Sequence, residues 1–180
     1  RRIEMYRNSF LTNRGVASYG LLLKEIHDGK IQQNIFNLNT VGIFMEGSNR
    51  NLFRYNKFQS NGTAIRVMGD CEDNNFTENN LLFNTFDVAT NSDRNPNTFS
   101  ENYWTTYDGY DLNHDGVGDV PYRPVSFTSV ILENVDSSFI LLKSFLFNLL
   151  DQIERSLPEL TPQRLKDEKP RMKPVEIPHD

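Results

Sequence analysis

Few stretches of this 180-residue chain combine residue type and spacing suited to chemistry. The densest is Asp111-Leu112-Asn113-His114-Asp115-Gly116-Val117-Gly118-Asp119. Oxygen-bearing side chains stand at its first, third, fifth and ninth positions, with a Gly at the sixth for a sharp turn, as at the start of a calcium loop. Calcium takes about six to eight oxygens, and one tight loop of this spacing supplies most of them. Asp111, Asn113, Asp115 and Asp119, with the Val117 carbonyl, are therefore candidate calcium ligands. The twelfth position, where such loops carry a bidentate Glu, is Tyr122. A site lacking that ligand binds weakly, at about 0.1 to 1 mM as in extracellular modules. The alternative is an acidic turn held by its own side-chain to backbone bonds.

Other chemical candidates are sparser. Met68 and Cys71 stand three residues apart, and thioether and thiolate are soft donors suited to Cu(I). Two unaccompanied sulfurs in a corner also read as ordinary turn residues. His27 beside Asp28 is a conceivable ligand pair, although a His in a Gly-containing turn is commonly just solvated. Asp70, Glu72 and Asp73 cluster in one corner with no partner on another repeat.

These residues sit on or beside a repeat. Asn followed two residues later by a large apolar residue recurs as Asn8/Phe10, Asn34/Phe36, Asn56/Phe58, Asn79/Leu81 and Asn102/Trp104, in steps of 26, 22, 23 and 23. Three positions before each Asn stands Met5, Ile31, Phe53, Phe76 or Phe99, and five after the first four stands Asn13, Asn39, Asn61 or Asn84. Allowing four extra residues in the first repeat aligns Leu21, Ile43, Ile65 and Val88, then Leu23, Met45, Val67 and Thr90. Those extra residues are expected as a loop near Ser18 to Gly20 or at His27-Asp28-Gly29. Such a period means units that bury their apolar face only by stacking on neighbours.

Apolar residues two apart, as in Phe53/Tyr55, Ile43/Met45 and Ile65/Val67, are strand periodicity, and no helical series persists through this region. The predicted fold is a right-handed parallel β-helix of about 22 to 23 residues per rung, rising about 4.8 Å each turn. Asn tolerates left-handed backbone, which suits it to the bends, and stacked Asn side chains can form hydrogen-bonded ladders. Of 21 Asn, 18 lie at or before Asn102, which marks the boundary of the repeat. The chain therefore divides into β-helix repeats over 1–107, an acidic loop and connector over 108–135, a helix over 136–157 and a Pro-rich extended tail over 158–180.

In the predicted helix, Asp136, Ser137 or Ser138 serves as N-cap, and Phe139, Leu142, Leu146, Leu149, Ile153 and Leu157 recur at helical spacing. Its first half is apolar on nearly all sides yet too short to span a bilayer. It either caps the open end of the solenoid or docks on a membrane-embedded partner through Phe139, Leu142, Phe145, Leu146 and Leu149. The net charge of −5, pI near 5.2 and lack of a basic run with aromatics argue against nucleic acid. A single Cys excludes an internal disulfide framework. Because Arg1 already lies within a repeat, the chain is expected to be the C-terminal piece of a longer protein.

At Glu101-Asn102-Tyr103-Trp104, Tyr107-Asp108-Gly109-Tyr110-Asp111 and Asp115-Gly116-Val117-Gly118-Asp119-Val120-Pro121-Tyr122-Arg123-Pro124, the sequence resembles the end of the NosD family. The following helix and Leu157-Pro158-Glu159-Leu160-Thr161-Pro162 resemble it too. A shorter form of the first signature occurs across carbohydrate-associated β-helix proteins. The resemblance implies a periplasmic, non-enzymatic scaffold that acts with an ATP-binding-cassette transporter permease and a copper chaperone to assemble the copper centres of nitrous oxide reductase. Copper enters as transferred cargo, and the resemblance places its ligands on no residue here. The alternative is a polysaccharide-binding or polysaccharide-cleaving β-helix protein. Cleavage needs an acid and a base on adjacent rungs. The outward positions here are mostly Asn, Thr, Ser and Gln, with no carboxylate column in the repeat.

Overall fold

A computed structural model describes residues 2–92, 96–125 and 165–178. The helix expected over 136–157, with Phe139, Leu142, Phe145, Leu146 and Leu149, lies outside the described residues. Strands are numbered in chain order. One parallel sheet joins β1 (Glu4–Tyr6), β4 (Lys30–Gln32), β7 (Leu52–Arg54), β10 (Asn75–Thr77) and β13 (Thr98–Ser100). A second joins β2 (Ser9–Leu11), β5 (Ile35–Asn37), β8 (Lys57–Gln59), β11 (Asn80–Leu82) and β14 (Tyr103–Trp104). The third joins β3 (Tyr19–Lys24), β6 (Val41–Glu46), β9 (Thr63–Val67) and β12 (Phe86–Ala89). Each of the first four rungs gives one strand to each sheet, and the fifth gives one to each of the first two, which makes a right-handed parallel β-helix.

The register places like on like. Met5, Ile31, Phe53, Phe76 and Phe99 pair in sequence down the first sheet. Phe10, Phe36, Phe58, Leu81 and Trp104 do so down the second. Rings stack at 4.8 Å for Phe10 on Phe36 and 4.4 Å for Phe53 on Phe76, close to the strand spacing. In the third sheet Leu21, Ile43, Ile65 and Val88 align beside Leu23, Met45 and Val67.

Asn side chains form three ladders. Asn56 is typical: its N and Nδ2 donate to Asn79 Oδ1 at 2.9 and 3.0 Å, and Nδ2 also donates to Ile31 O at 2.8 Å. Its own Oδ1 accepts from Asn34 N and Nδ2. The second ladder links Asn13, Asn39, Asn61 and Asn84. The third, Asn51 to Asn74 to Asn97, receives Gly29 N at its first member. The bends differ from expectation. The left-handed residue is the one before each Asn of the first ladder, Arg7, Gln33, Tyr55, Glu78 and Glu101, with φ between 52° and 59°. That residue turns the chain so that the following Asn points into the corner, where its amide satisfies the backbone groups the bend exposes.

Register also locates the four extra residues of the first rung. Thr40 N donates to Asn13 O and Val41 N to Ser18 O, so the excursion is Arg14 to Ala17, just before Ser18. His27 instead pairs in register with Asn49, so no insertion lies there.

Candidate functional site

The chemistry of the structure gathers at the C-terminal end of the solenoid, and the direction of the ladders explains why. Every rung sends its amide N–H donors to the next rung, so the last Asn of a ladder needs an acceptor with no N–H of its own. A carboxylate is that group. Asp167, completely buried, takes the place of the next Asn after Asn102. Its Oδ2 accepts from Asn102 N, Asn102 Nδ2 and Trp104 Nε1, each at 3.0 Å, and its Oδ1 from Glu101 N at 3.1 Å and Lys169 N at 3.0 Å. Leu165 follows the apolar column into the core at 2% exposure, and Phe99 pairs in parallel with Asp167.

Asp87 ends the second ladder. It occupies the inward corner column of Gly20, Gly42 and Ala64, and accepts from Asn84 Nδ2 at 3.3 Å and Thr106 Oγ1 at 3.0 Å, with the Tyr122 hydroxyl at 3.5 Å. Burial disfavours its charge and raises its pKa from the ordinary 3.8 to about 6, against the opposing Thr106, Asn84 and Tyr122 bonds. Between these values the folded chain holds a proton that the unfolded chain releases, so stability falls as pH rises from about 4 to 6. A shift of this size is worth up to about 3 kcal/mol. Asp87→Asn is expected to flatten that limb and raise stability at pH 7, read by denaturant melts across pH; a parallel offset at every pH contradicts the assignment.

From the cap, the chain runs back over the rungs. Gly118 N donates to Pro170 O at 2.8 Å and Met172 N to Gly116 O at 3.0 Å, with Val117 and Arg171 in antiparallel pairing. Arg171 N donates to Asn102 O, and its guanidinium meets Glu101. Farther along, the Asn80 amide grips the Val175 backbone by two bonds, and Gln33 Nε2 donates to Pro178 O. Residues 165–178 are thus a strap that closes the end of the solenoid and pins the acidic loop.

The acidic loop is closed by its own groups. Asp111 accepts from Asp115 N and Gly116 N, Asn113 Oδ1 from Asp115 N, Asp115 Oδ1 from Val117 N, and Asp119 from Leu112 N. Gly116 holds φ at +84°, as the sharp turn requires. Calcium held by Asp111, Asn113, Asp115, Asp119 and the Val117 carbonyl would replace several of these bonds. Calorimetry with several millimolar Ca²⁺ separates the two forms: heat and a higher melting temperature mark the ion, and neither marks the turn alone.

The remaining sequence candidates separate. Asp28 binds Arg50 at 2.8 and 3.1 Å, and this hydrogen-bonded guanidinium lowers its pKa. Cys71 is wholly buried, accepts Ser48 N at 3.4 Å and lies 3.7 Å from Asp70 Oδ1. Burial pushes its thiol up to about 11, so it is protonated at neutral pH. Among the described residues no group of three His, Cys, Asp or Glu is arranged to hold a metal. The fold brings His114, which is exposed, and Met172, which is half-buried, to one place. Both line a hollow of about 540 Å³ between the acidic loop and the strap.

Sequence reasoning missed Asp87, Asp167 and Met172. Asp87 was legible as a carboxylate in a column of small residues; Asp167 and Met172 reach their partners only through the strap.

Comparison with known proteins completes the picture. A family model described as "Periplasmic copper-binding protein (NosD)" matches residues 1–113. Two relatives named "Probable ABC transporter binding protein NosD", from Stutzerimonas stutzeri and Pseudomonas aeruginosa, are each 27% identical over 134 residues. Those residues are 73% of this chain and 31% of either relative, so the chain spans about a third of the curated proteins it matches. With the repeat and its Asn ladders falling within the matched region, the chain belongs to the NosD family.

Proposed function

We propose that this chain is part of a non-enzymatic periplasmic scaffold that works with an ATP-binding-cassette transporter and a copper chaperone in assembling the copper centres of nitrous oxide reductase. The family match over residues 1–113 carries the reading, since that family is described as periplasmic and copper-binding. Its relatives' printed name, an ABC transporter binding protein, supports the transporter as partner. The closed end of the solenoid supports a docking role for the segment between the acidic loop and the strap. Val125 and Leu165, which flank it, are 1% and 2% exposed, so both its ends are fixed to the core. Phe139, Leu142, Phe145, Leu146 and Leu149 of that segment supply the apolar side chains that would meet the partner.

Side-chain pairing on the rungs favours a scaffold over the alternative of a polysaccharide-cleaving enzyme. Asp28, Glu46, Glu78 and Glu101 meet Arg50, Lys24, Arg54 and Arg171 respectively. Asp87 is buried among Asn84, Thr106 and Tyr122. These carboxylates are engaged in holding rungs and strap together, whereas general acid and base groups must face a bound sugar. Nitrous oxide reductase isolated from cells lacking the protein is expected to carry less copper than reductase from complemented cells. Equal copper in both contradicts the proposal, and release of soluble sugar from uronate polymers by the purified protein favours the enzyme.

A further inference from the structure

We propose that the groove formed by Tyr6, Arg7, Gln32, Gln33, Arg54 and Tyr55 is a docking site for an extended, proline-containing peptide that carries a carboxylate. Such a site stands or falls independently of the copper reading. Strand register builds the groove. Tyr6, Gln32 and Arg54 pair across β1, β4 and β7, each following an inward residue of its strand, so their side chains form a row on the outer surface, one per rung. Arg7, Gln33 and Tyr55 come next at the bend, left-handed at φ 54°, 56° and 57°, and make a second row beside the first. The two rows line one depression of about 460 Å³. Contacts hold its walls in place. Arg7 Nε donates to Gln33 Oε1 at 2.8 Å, the Arg54 guanidinium lies 4.5 Å from the Tyr55 ring centroid, and Arg54 and the Tyr55 hydroxyl both bond Glu78. A groove fixed in this way loses little freedom when it is filled.

The occupant is indicated by the strap, which shares Gln33 with the groove. The Asn80 carboxamide takes Val175 N and O at 2.7 and 2.8 Å, and Gln33 Nε2 donates to Pro178 O at 3.2 Å. Residues 174–178 hold no helix, turn or bend, and a proline stands at each end of that run. A side-chain amide of the solenoid thus reads both polar groups of one residue in a proline-containing chain. Gln32, beside Gln33, offers the same donor and acceptor, and neither its carboxamide nor the Tyr6 hydroxyl has a hydrogen-bond partner among the described residues. Tyr6 is 45% exposed, and tyrosine faces are the surface on which proline-rich segments pack. Charge selects an acidic ligand. On a chain of net charge −5, the six lining residues include two arginines and no carboxylate. Arg54 is matched by Glu78, and Arg7, at an exposed position, adds a charge-assisted bond to a carboxylate of the peptide.

The test is fluorescence anisotropy of a labelled peptide with the sequence of residues 174–178, Pro-Val-Glu-Ile-Pro, titrated with the purified full-length protein. Saturable binding is expected, and added salt is expected to weaken it. Gln32→Ala and Arg7→Ala are surface changes expected to leave the melting temperature almost unmoved. Each is expected to weaken peptide binding about two- to tenfold, the worth of a single hydrogen bond. Replacing the Glu of the peptide by Gln is expected to weaken binding to the parent by a similar factor and to add nothing in Arg7→Ala, because both changes remove the same contact. Absence of saturable binding, or binding that both groove variants leave unchanged, overturns the site. Binding lost in Asn80→Ala and kept in both groove variants puts the peptide in the track of the strap, and preferential binding of a uronate oligosaccharide that displaces the peptide makes the groove a sugar site. Either result also overturns the proposal. The scaffold reading is tested separately, by the copper content of the reductase, and survives the loss of this site.

Discussion

Asp167→Ala is expected to destabilise the protein by about 3 to 5 kcal/mol, because it orphans several buried donors at about 1 to 3 kcal/mol each, less what water recovers at the solenoid end. Five N–H groups converge on this one carboxylate: those of Glu101, Asn102 (two), Trp104 and Lys169. An alanine accepts none of them. Asp167→Asn is expected to do nearly as badly for its small change in size, since its amide turns a donor toward groups that are themselves donors. Denaturant melts measure the loss, and hydrogen exchange locates it: amides of 101 to 104 lose protection first. A melt within about 0.5 kcal/mol of the parent, the range of an ordinary surface change, contradicts the role of Asp167 as the end of the ladder.

Truncating the stacked aliphatic column is the second large effect. Ile43→Ala and Ile65→Ala are each expected to cost about 2 to 5 kcal/mol, the range for large core truncations. Both side chains are wholly buried and face each other in register across adjacent rungs. Neighbouring rungs are fixed by continuous sheets on three sides, so the cavity cannot close by collapse, which places these sites toward the upper part of the range. Because the two residues touch, the double substitution is expected to be non-additive. Thermal or denaturant melts give the numbers, and a loss well under 1 kcal/mol for either contradicts an interior placement.

What was legible in the sequence follows from parallel register. When each strand pairs with its counterpart one rung on, columns in the alignment become columns in space, as with Ile31, Phe53 and Phe76. Asn ladders were legible for the same reason where the column is unbroken. The third ladder, Asn51, Asn74 and Asn97, escaped notice because its first-rung counterpart is Gly29, which donates only its backbone N–H. Backbone strain was misassigned: left-handed φ falls on Arg7, Gln33, Tyr55, Glu78 and Glu101, whose types carry no such signal, because the bend precedes the amide that stabilises it. The candidate site was legible only on its loop side. Asp111 to Asp119 announces itself by local spacing, whereas the strap finds its place through tertiary contacts 65 residues from Asn102. Composition gives Asp167 and Met172 no distinguishing mark.

These contacts also bear on how a scaffold presents a partner-binding segment. The strap returns the chain to the solenoid at Leu165, and its bonds to Asn102, Asn80 and Gln33 span the rungs. Removing the segment 136–157 is therefore expected to leave the rungs, the Asp167 cap and the acidic loop folded, which makes the deletion a clean test of docking. The deciding measurement is co-purification of the full-length protein with the transporter permease, with and without residues 136–157. The account predicts a stable complex that is lost on deletion while the solenoid melts as before. Retention of the permease by the folded deletion variant would contradict it.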